Sequence, residues 1–253
     1  MFTLERQNEI FQYLKEQKSA SISELSRQFF IGEATIRRDL DKLEKKNLIK
    51  RTYGGAVLVE GLNMEIPLSV REKEQASGKD HIGRLAAALV QEGDILIMDS
   101  SSTTYAMIPY LKQKDDVTII TNGVKTAATL GRELHTQVYC TGGKLRENSM
   151  SLVGQGAREY IRNFTAQRLF FSCRGITAEN GAMDNSDEEA ELRRVMMDRA
   201  ETVYLLCDSS KCNRSAFYKI CDLMRIHCFI TDAAPSEALG DALLHSGVRI
   251  LYA

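Results

Sequence analysis

A run of acidic and hydroxyl side chains directly follows an apolar segment near the middle of the chain. Residues 95–98 are Ile-Leu-Ile-Met, and residues 99–104 are Asp-Ser-Ser-Ser-Thr-Thr. The apolar run predicts a buried strand, and the residues after it predict the start of a helix. Backbone N–H groups at a helix N-terminus carry partial positive charge and the hydroxyls add donors, so a phosphate is the natural ligand. An isolated turn of this kind can also be a simple helix cap.

Polar or glycine-rich segments follow four other apolar runs, at residues 121–123, 141–144, 172–175 and 207–211. If these runs are parallel strands, their carboxyl ends share one edge of a sheet, where α/β proteins bind ligands. We therefore expect a pocket that takes a phosphate at one end and sugar hydroxyls at the other. The candidate effector-binding residues at these strand ends are Asp99, Ser100, Ser101, Ser102, Thr103, Thr104, Asn122, Gly143, Lys144, Arg174, Asp208 and Lys211. Glu189 is a further candidate, which only the family resemblance described below implies.

The segments around these residues alternate between strand-like and helix-like patterns. Strands are predicted at 94–98, 117–121, 137–140, 168–173, 202–207, 226–230 and 248–252. Helices are predicted at 76–91, 103–112, 123–133, 151–163, 187–200 and 236–245. This alternation predicts an α/β domain with a mostly parallel sheet.

A second group of residues, near the amino terminus, has the pattern of a DNA-binding module. A helix over 4–17, a short helix capped by Ser23 and a corner at 30–32 lead to a third helix over 33–44. Its apolar face contains Ile36, Leu40, Leu43 and Asn47, and its opposite face contains Arg37, Arg38, Lys42 and Lys45. A solvated helix surface would have the same charges, but the order of elements favours a recognition helix.

Residues 48–57 predict two short strands around the pair Gly54-Gly55, which permits a tight hairpin. Such a basic hairpin fits a wing beside the recognition helix. The candidate DNA-binding residues are Thr35, Arg37, Arg38, Lys42, Arg51, Tyr53 and Gly54. Residues 1–57 carry 11 Lys and Arg against 8 Asp and Glu, whereas the other residues carry 22 against 26, which weakly supports nucleic-acid contact at the amino-terminal end.

Composition and patterning limit the class of protein. The 253 residues, 43% of them hydrophobic, allow two domains, and we expect a DNA-binding domain at 1–57, a linker at 58–75 and an effector domain at 76–253. Because no long apolar run or secretory pattern is present, we expect a cytoplasmic protein without a membrane partner. The six cysteines lack C-x-x-C spacing, so buried reduced thiols are expected. The four histidines are scattered, so no metal site and no cofactor are expected.

These motifs resemble the DeoR family of bacterial transcriptional regulators over nearly the whole chain. In the first domain the similar residues are Thr35-Ile36-Arg37-Arg38-Asp39-Leu40, Leu43, Leu48, Arg51 and Gly54-Gly55-Ala56. In the second domain they are Asp99 to Thr104, Thr121-Asn122, Gly142 to Arg146, Ser151 to Gly154, Glu189-Ala190-Glu191 and Asp208 to Lys211. One departure is Gly32, where the family usually has a serine that caps the recognition helix.

The resemblance implies a winged helix-turn-helix followed by an α/β effector domain similar in fold to ribose-5-phosphate isomerase, with a phosphorylated sugar as effector. The implied partner is double-stranded operator DNA. Because one recognition helix reads few base pairs, we expect a homo-oligomer, either a dimer or a tetramer. We expect a repressor of a carbohydrate utilisation operon that its inducer releases from DNA, although the sequence leaves activation open.

The alternative is a sugar-phosphate isomerase fused to a DNA-binding domain. Isomerisation needs a carboxylate base. By resemblance, Gln167 stands where an acidic residue commonly precedes the aromatic strand, and Ser101 stands in place of a common glycine. An amide cannot act as that base, so we expect no catalysis and altered sugar contacts at Gln167, while Glu189 and Asp208 remain possible bases. A regulator controlled by a protein partner has no sequence feature in its favour.

Overall fold

The computed structural model describes residues 3–46, 48–59, 65–134 and 136–252, and the chain divides into two compact units. The units are Met1–Arg71 and Glu72–Ala253. Asn47 of the predicted recognition helix and residues 60–64 of the predicted linker lie outside the described residues. No helix of the described ranges is long and apolar enough to cross a membrane.

The amino-terminal unit packs helices on a small antiparallel sheet. Its elements are α1 (Thr3–Gln17), β1 (Ser19–Ser21), α2 (Ile22–Phe29), α3 (Glu33–Lys45), β2 (Ile49–Arg51), β3 (Gly55–Leu58) and α4 (Leu68–Arg71). Within the described residues the sheet has three strands in the order β1-β3-β2. The core contains Ile10, Phe11, Leu14, Leu25, Ile36, Leu40 and Leu43, so the predicted apolar face of α3 is confirmed for those of its residues that are described.

Three local expectations for this unit differ from the structure. Residues 19–21, which the sequence indicated only as a helix break, form β1 and pair with β3, Ala20 opposite Ala56. Ser21 rather than Ser23 caps α2, because Ser21 accepts a hydrogen bond from the Glu24 amide and the Glu24 carboxylate accepts one from the Ser21 amide. Residues 68–71, within the predicted linker, form α4, whose Val70 joins the core of this unit.

The second unit is built on a parallel sheet, as the sequence predicts. The sheet strands are β4 (Ile95–Met98), β5 (Thr118–Thr121), β6 (Gln137–Cys140), β9 (Ala166–Phe171), β12 (Ala200–Leu206), β14 (Cys228–Ile230) and β15 (Arg249–Leu251). In the part of the chain that the structure describes, their order is β15-β14-β12-β9-β4-β5-β6 and every pair is parallel.

Alternate residues of these strands enter two hydrophobic clusters. Ile97, Phe171 and Leu205 belong to one cluster, and Leu96 and Phe170 belong to the other. Because successive side chains of a strand point to opposite faces, the sheet is apolar on both sides. The helices of the unit are α5 (Ala76–Ala88), α6 (Ser102–Tyr105), α7 (Ile108–Leu111), α8 (Val124–Glu133), α9 (Gln155–Arg162), α10 (Asp187–Met197) and α11 (Glu237–His245).

Two predicted helices of this unit are wrong in part. The helix predicted over 103–112 is divided into α6 and α7, because Pro109 has no N–H with which to continue the hydrogen-bond ladder. The first residues of the helix predicted over 151–163 form β8 (Ser151–Val153), which pairs with β7 (Lys144–Arg146). Gly154 then turns the chain into α9 with φ 89°, a conformation that favours glycine.

The sequence analysis did not predict a second antiparallel sheet. Strands β10 (Gly175–Thr177), β11 (Gly181–Asp184) and β13 (Tyr218–Cys221) pair in that order. β10 and β11 form a hairpin, whereas β13 comes from a segment much further along the chain, and strands of three or four residues show little periodicity. This sheet carries Asp184 at the end of β11, which contributes to the site described below.

The expectation of buried thiols holds for Cys173, Cys207, Cys221 and Cys228, but Cys212 is partly exposed and Cys140, at the end of the edge strand β6, is exposed. Each of the six is a free thiol.

The capping box of α2 provides a test of the amino-terminal unit. Replacing Ser21 with Ala removes the acceptor for the Glu24 amide, and we expect a loss of about 1 kcal/mol in the free energy of unfolding. Ser23→Ala is the matched control, because Ser23 makes no cap bond to the helix backbone, and it should cost less. Chemical denaturation followed by circular dichroism measures both. Equal losses in the two variants would contradict the assignment of the cap.

Candidate functional site

Helix α3 presents a cationic surface on a firmly packed element. Arg37, Arg38 and Lys42 are exposed, whereas the opposite face is buried. Arg37 lies 3.4 Å from Glu33, and the Arg38 guanidinium donates to the Thr35 hydroxyl at 3.3 Å. Ion pairs between such exposed side chains are weak, so both arginines can exchange these partners for a phosphate or a base edge.

A buried carboxylate, Asp39, anchors the back of this helix. Asp39 is 1% exposed and accepts hydrogen bonds from Arg6 Nε at 2.5 Å and Gln7 Nε2 at 3.0 Å, both on α1. The hydrogen bond to Asp39 raises the pKa of the Arg6 guanidinium further. The sequence analysis named Asp39 within a motif but assigned it no role. Its position three residues after Ile36, on the apolar side of α3, was the available signal.

Arg51, a predicted DNA-binding residue, also has partners within the amino-terminal unit. Its guanidinium forms an ion pair with Asp41, and its backbone N–H donates to the Glu44 carboxylate at 2.8 Å. Arg51 therefore fastens the hairpin to α3, and a contact to DNA would have to share the guanidinium with Asp41. The side chain that the hairpin leaves fully exposed is Tyr53.

Of the two glycines in the hairpin, Gly55 rather than Gly54 is required by sterics. A Cβ at Gly55 would lie 2.1 Å from the Ala20 carbonyl oxygen, on the strand that the sequence analysis did not predict. A Cβ at Gly54 would meet no atom within 4 Å. Gly54 therefore leaves an open surface beside Tyr53, which suits a close approach by another backbone.

Asp99 is the centre of the site in the second unit. Its Oδ1 accepts hydrogen bonds from the Ser101 amide at 3.0 Å and the Thr104 hydroxyl at 2.8 Å. Its Oδ2 accepts from the Ser172 amide at 3.1 Å and from Arg193 Nε at 2.9 Å. Burial opposes ionisation, but Arg193 and these hydrogen bonds hold the pKa of Asp99 below its ordinary value. Asp99 thus joins the ends of β4 and β9 to α10.

Arg193, which the sequence analysis missed, is a buried cation shared by three carboxylates. Besides Asp99, it donates to Asp184 Oδ2 at 3.0 Å and lies 3.6 Å from Glu189 Oε2. Burial raises the pKa of Glu189, against the pull of Arg193, and the Ser151 hydroxyl donates to its other oxygen. Arg193 and the three acidic residues form one buried ionic cluster at the strand ends.

Lys211 supplies a second cation near the same strand ends. Its Nζ lies 3.0 Å from Asp208 Oδ2 and donates to the hydroxyls of Thr103 and Ser172, each at 3.2 Å. Burial opposes ionisation of Asp208, but Lys211, the Ser210 hydroxyl and the buried Lys79 hold its pKa below the ordinary value. Lys79 of α5 was not among the predicted residues, because nothing local distinguishes it from a surface lysine.

The serines and threonines at residues 100–104 are buried, and their hydroxyls differ in their hydrogen-bond partners. Ser101 caps α6 through the Thr104 amide at 3.2 Å, and Thr104 bonds to Asp99, so both are engaged within the loop. Among the described residues, the hydroxyls of Ser100 and Ser102 have no hydrogen-bond partner. These two hydroxyls, together with Thr103 beside Lys211, are the members free to face a ligand.

Asn122 directly follows β5, the strand next to β4, and one of its side-chain polar atoms has no hydrogen-bond partner. Its Nδ2 donates to the Leu152 carbonyl at 3.2 Å, while its buried Oδ1 has no hydrogen-bond partner. The bond to Leu152 holds the hairpin of β7 and β8 against this edge. Gly143 adopts φ 120°, and a Cβ there would lie 2.5 Å from the Val153 carbonyl oxygen, so the hairpin requires a glycine at this position.

Two predicted effector-binding residues, Lys144 and Arg174, are more exposed than the buried Arg193. Lys144 is exposed and pairs with Glu188 at 3.2 Å, the residue before Glu189, so it lies at the rim of the site. The Arg174 amide bonds to the Met183 carbonyl, but its partly exposed guanidinium has no partner among the described residues. The described residues contain no group of three or more His, Cys, Asp or Glu that could hold a metal ion.

The expectation that Gln167 contacts sugar is wrong. Gln167 is the second residue of β9, and its side-chain oxygen accepts a hydrogen bond from the Ile95 amide at the start of β4, at 2.7 Å. It therefore lies at the amino ends of the strands, whereas the site occupies their carboxyl ends. The presence of an amide at residue 167 therefore neither supports nor opposes catalysis at the site.

The shared guanidinium gives the second test. Arg193→Met leaves Asp99 and Asp184 buried without their cation and leaves Glu189 with Arg146 alone, and we expect the free energy of unfolding of the second unit to fall by about 3 to 5 kcal/mol. Arg225→Met is the control, because Arg225 pairs with Asp198 at 2.7 Å but both side chains are more than half exposed, a pair worth about 0 to 1 kcal/mol. Urea denaturation measures both variants. Similar losses would contradict the central role of Arg193.

Comparison with known proteins follows the same division of the chain. A model of the DeoR-like helix-turn-helix domain matches residues 6–61, and a model of the DeoR C-terminal sensor domain matches residues 74–233. Among solved structures, a ribose 5-phosphate isomerase from Methanocaldococcus jannaschii is similar at 12% identity with a TM-score of 0.41, covering 55% of each chain.

Curated relatives match the chain over its whole length. An uncharacterised helix-turn-helix transcriptional regulator, YulB of Bacillus subtilis, is 35% identical over 99% of this chain and 96% of its own. A putative aga operon transcriptional repressor of Escherichia coli O157:H7 is 33% identical over 98% and 93%. Both family matches and both relatives agree with the resemblance predicted from the motifs. The chain therefore belongs to the DeoR family of helix-turn-helix transcriptional regulators.

Proposed function

We propose that this regulator is a repressor of a carbohydrate operon, and that a phosphorylated sugar bound at the strand ends of the second unit releases it from operator DNA. The observation that carries the proposal is the pairing of Lys211 with the hydroxyls of Thr103 and Ser172 at 3.2 Å, at the edge that also holds Asp99. A cation, hydroxyls and backbone donors suit a phosphate, while buried carboxylates beside them suit sugar hydroxyls.

The DNA contact is proposed for the exposed face of α3 and the hairpin tip. Thr35, Arg37, Arg38 and Lys42 lie on that helix, and Tyr53 and Gly54 lie at the tip. One helix of this length reads few base pairs, so we propose a homo-oligomer whose paired modules bind two half-sites. Repression is supported by the E. coli relative, which is a putative operon repressor. For a protein with this role we propose a cytoplasmic location.

We propose binding without turnover at the effector site. Glu189, with its raised pKa, is the strongest candidate for an isomerase base, but Ser151 and Arg193 occupy both of its oxygens. Asp208 is held by Lys211 and Ser210. A base must reach the substrate proton, and neither carboxylate is unengaged. Incubation of the pure protein with aldose phosphates, followed by analysis for ketose phosphates, tests this proposal, and conversion above background would refute it.

The effector proposal predicts a selective gain in stability. A ligand present at about a hundred times its Kd adds about 2.7 kcal/mol to the free energy of unfolding, which appears as a higher Tm. We expect one phosphorylated sugar from a panel to raise the Tm and its unphosphorylated form to leave it unchanged. Lys211→Ala should abolish the shift, whereas Lys219→Ala, an exposed lysine paired with Asp222, should retain it. If no phosphorylated sugar shifts the wild type, the proposed effector class is wrong.

The DNA proposal predicts separable losses. Against a duplex selected from a random library by the wild-type protein, Arg37→Ala combined with Arg38→Ala should abolish specific binding and leave the effector-induced Tm shift intact. Lys211→Ala should retain DNA binding and lose its release by effector. Lys42→Ala should lower the slope of log K against log salt by about 1, as expected for one lost phosphate contact.

Arg132→Ala provides the control for the DNA measurements, because Arg132 is an exposed arginine on α8 of the second unit. It should match the wild type in affinity and in salt slope. If the double variant lost the effector response together with DNA binding, the two sites would not be separable and the assignment would fail.

A further inference from the structure

The chain passes from the first unit to the second through residues that are fixed on both sides. Val70 of α4 is buried in the core of the amino-terminal unit, which ends at Arg71. Glu72 is the first residue of the second unit, and both of its carboxylate oxygens accept hydrogen bonds from Lys125 Nζ at 2.6 Å. Because a single residue separates Val70 from Glu72, a displacement of Glu72 is passed on to α4.

Lys125 also contacts a side chain that adjoins the effector residues. It is the second residue of α8, and its Nζ lies 4.8 Å from the centre of the Tyr105 ring, where an ammonium group is attracted to the aromatic face. Tyr105 directly follows Thr104, the last residue of the hydroxyl run, and its own hydroxyl lies 3.1 Å from the Thr129 hydroxyl of α8. One ammonium group therefore lies between the run at 99–104 and the first residue of the second unit.

The start of α8 is packed closely against the same hydroxyl run. Gly123 lies between Asn122 and the helix, and a Cβ there would lie 3.1 Å from Ser100 Cα. In such a closely packed region the backbone of Ser100 and the first turn of α8 cannot move independently. A ligand that engages the Ser100 hydroxyl therefore acts on the helix that carries Lys125.

The segment that begins at Glu72 is held at its other end by the second effector loop. A Cβ at Gly78 would lie 2.5 Å from Asp232 Oδ2, and Asp232 Oδ1 accepts a hydrogen bond from the Ser209 amide at 2.6 Å, in the loop after β12. Between these ends Gln75 adopts φ 51°, a conformation that a non-glycine residue keeps only where its surroundings hold it. Residues 72–78 are thus a constrained turn between two effector loops.

We propose that Lys125 is a positioning residue that couples effector binding to the amino-terminal unit through its ion pair with Glu72. The inference rests on the proposed function. An effector at the strand ends favours one position of Tyr105 and α8, Lys125 carries Glu72 with it, and the chain passes the change on to α4. A ligand shifts an equilibrium between two arrangements only by its difference in affinity for them, and the ion pair makes the position of residues 72–78 part of that difference.

The ion pair suits this role because it is partly shielded from water. The side chains of Lys125 and Glu72 are 40% and 21% exposed, and the carboxylate is engaged through both oxygens. Pairs between fully exposed side chains contribute little and exchange readily with solvent, whereas this geometry holds one carboxylate on one ammonium group. Neither residue is among the proposed effector or DNA ligands.

Amide hydrogen exchange of the full-length protein, with and without inorganic phosphate, tests whether the segment responds to the site. Calorimetry first gives the phosphate concentration that saturates the protein. We expect bound phosphate to slow exchange in peptides covering residues 72–78 by about threefold or more, as local opening becomes less frequent. Lys125→Met keeps the apolar stem over Tyr105 but removes the charge, so it should bind phosphate as the wild type does and lose this slowing.

Lys112→Met is the matched control, because Lys112 pairs with Glu133 at 3.1 Å at the far end of the same helix. It should keep the slowing of exchange at residues 72–78. Glu72→Gln removes the other partner of the pair and should reproduce the loss seen in Lys125→Met. Because the two residues act as a unit, the double variant should lose no more than either single variant.

The consequence for DNA is measured as a ratio of affinities for the selected duplex, without and with phosphate at constant ionic strength. We expect phosphate to weaken wild-type binding by about tenfold, a common size for coupling between two sites. In Lys125→Met the factor should fall below about twofold, while the affinity without phosphate stays close to that of the wild type. A residue that only stabilised the second unit would lower the Tm and leave this ratio unchanged.

The outcomes separate the coupling from the effector site itself. Full phosphate effects on exchange and on DNA affinity in Lys125→Met would overturn the proposal, and so would their loss in Lys112→Met. If phosphate binds the wild type but changes neither the exchange of residues 72–78 nor the DNA affinity, the coupling is wrong while the binding site stands. If calorimetry detects no phosphate binding, the proposed effector site is wrong and the coupling falls with it.

Discussion

One buried guanidinium, that of Arg193, organises the second unit around its site. It bridges Asp99 at the end of β4, Asp184 at the end of β11 and Glu189 one turn earlier on α10. Removing charges from water is costly, and this cost is offset only where each charge has close partners of opposite sign. Because the partners come from a parallel strand, an antiparallel strand and a helix, the ionic contact joins two sheets and a helix.

The amino-terminal unit uses the same device on a smaller scale. Asp39, which is buried on the inner side of α3, accepts hydrogen bonds from Arg6 and Gln7 of α1. Asp41, two residues later on the same helix, forms an ion pair with Arg51 of the hairpin. A unit of about seventy residues buries a limited apolar core, so such polar contacts contribute much to the orientation of its elements. Arg37, Arg38 and Lys42 take no part in these buried contacts and are exposed on the outer face of α3.

The edge of the parallel sheet explains why polar site residues and buried cysteines are neighbours in the chain. Strands β9 and β12 are adjacent and parallel, with Phe171 opposite Leu205. The residues that follow the two strands therefore lie next to each other at the same edge of the sheet. These residues are Ser172 and Cys173 on one strand and Cys207 and Asp208 on the other. Side chains alternate between faces at each position, which sets the polar groups apart from the thiols packed against the core.

Local sequence was sufficient for the features that depend on periodicity and on short motifs. The apolar face of α3, the alternation of strands and helices in the second unit, and the strand-end motifs at Asp99, Ser172 and Asp208 follow from side-chain spacing within a few residues. Tertiary structure alone decided the partners. Arg193 and Lys79 look like ordinary helix charges until folding brings distant carboxylates to them. The sugar contact expected at Gln167 came from the resemblance alone, whereas the fold places this side chain at the amino ends of the strands, away from the site. Burial, which sets the strength of every charge contact, depends on the whole fold.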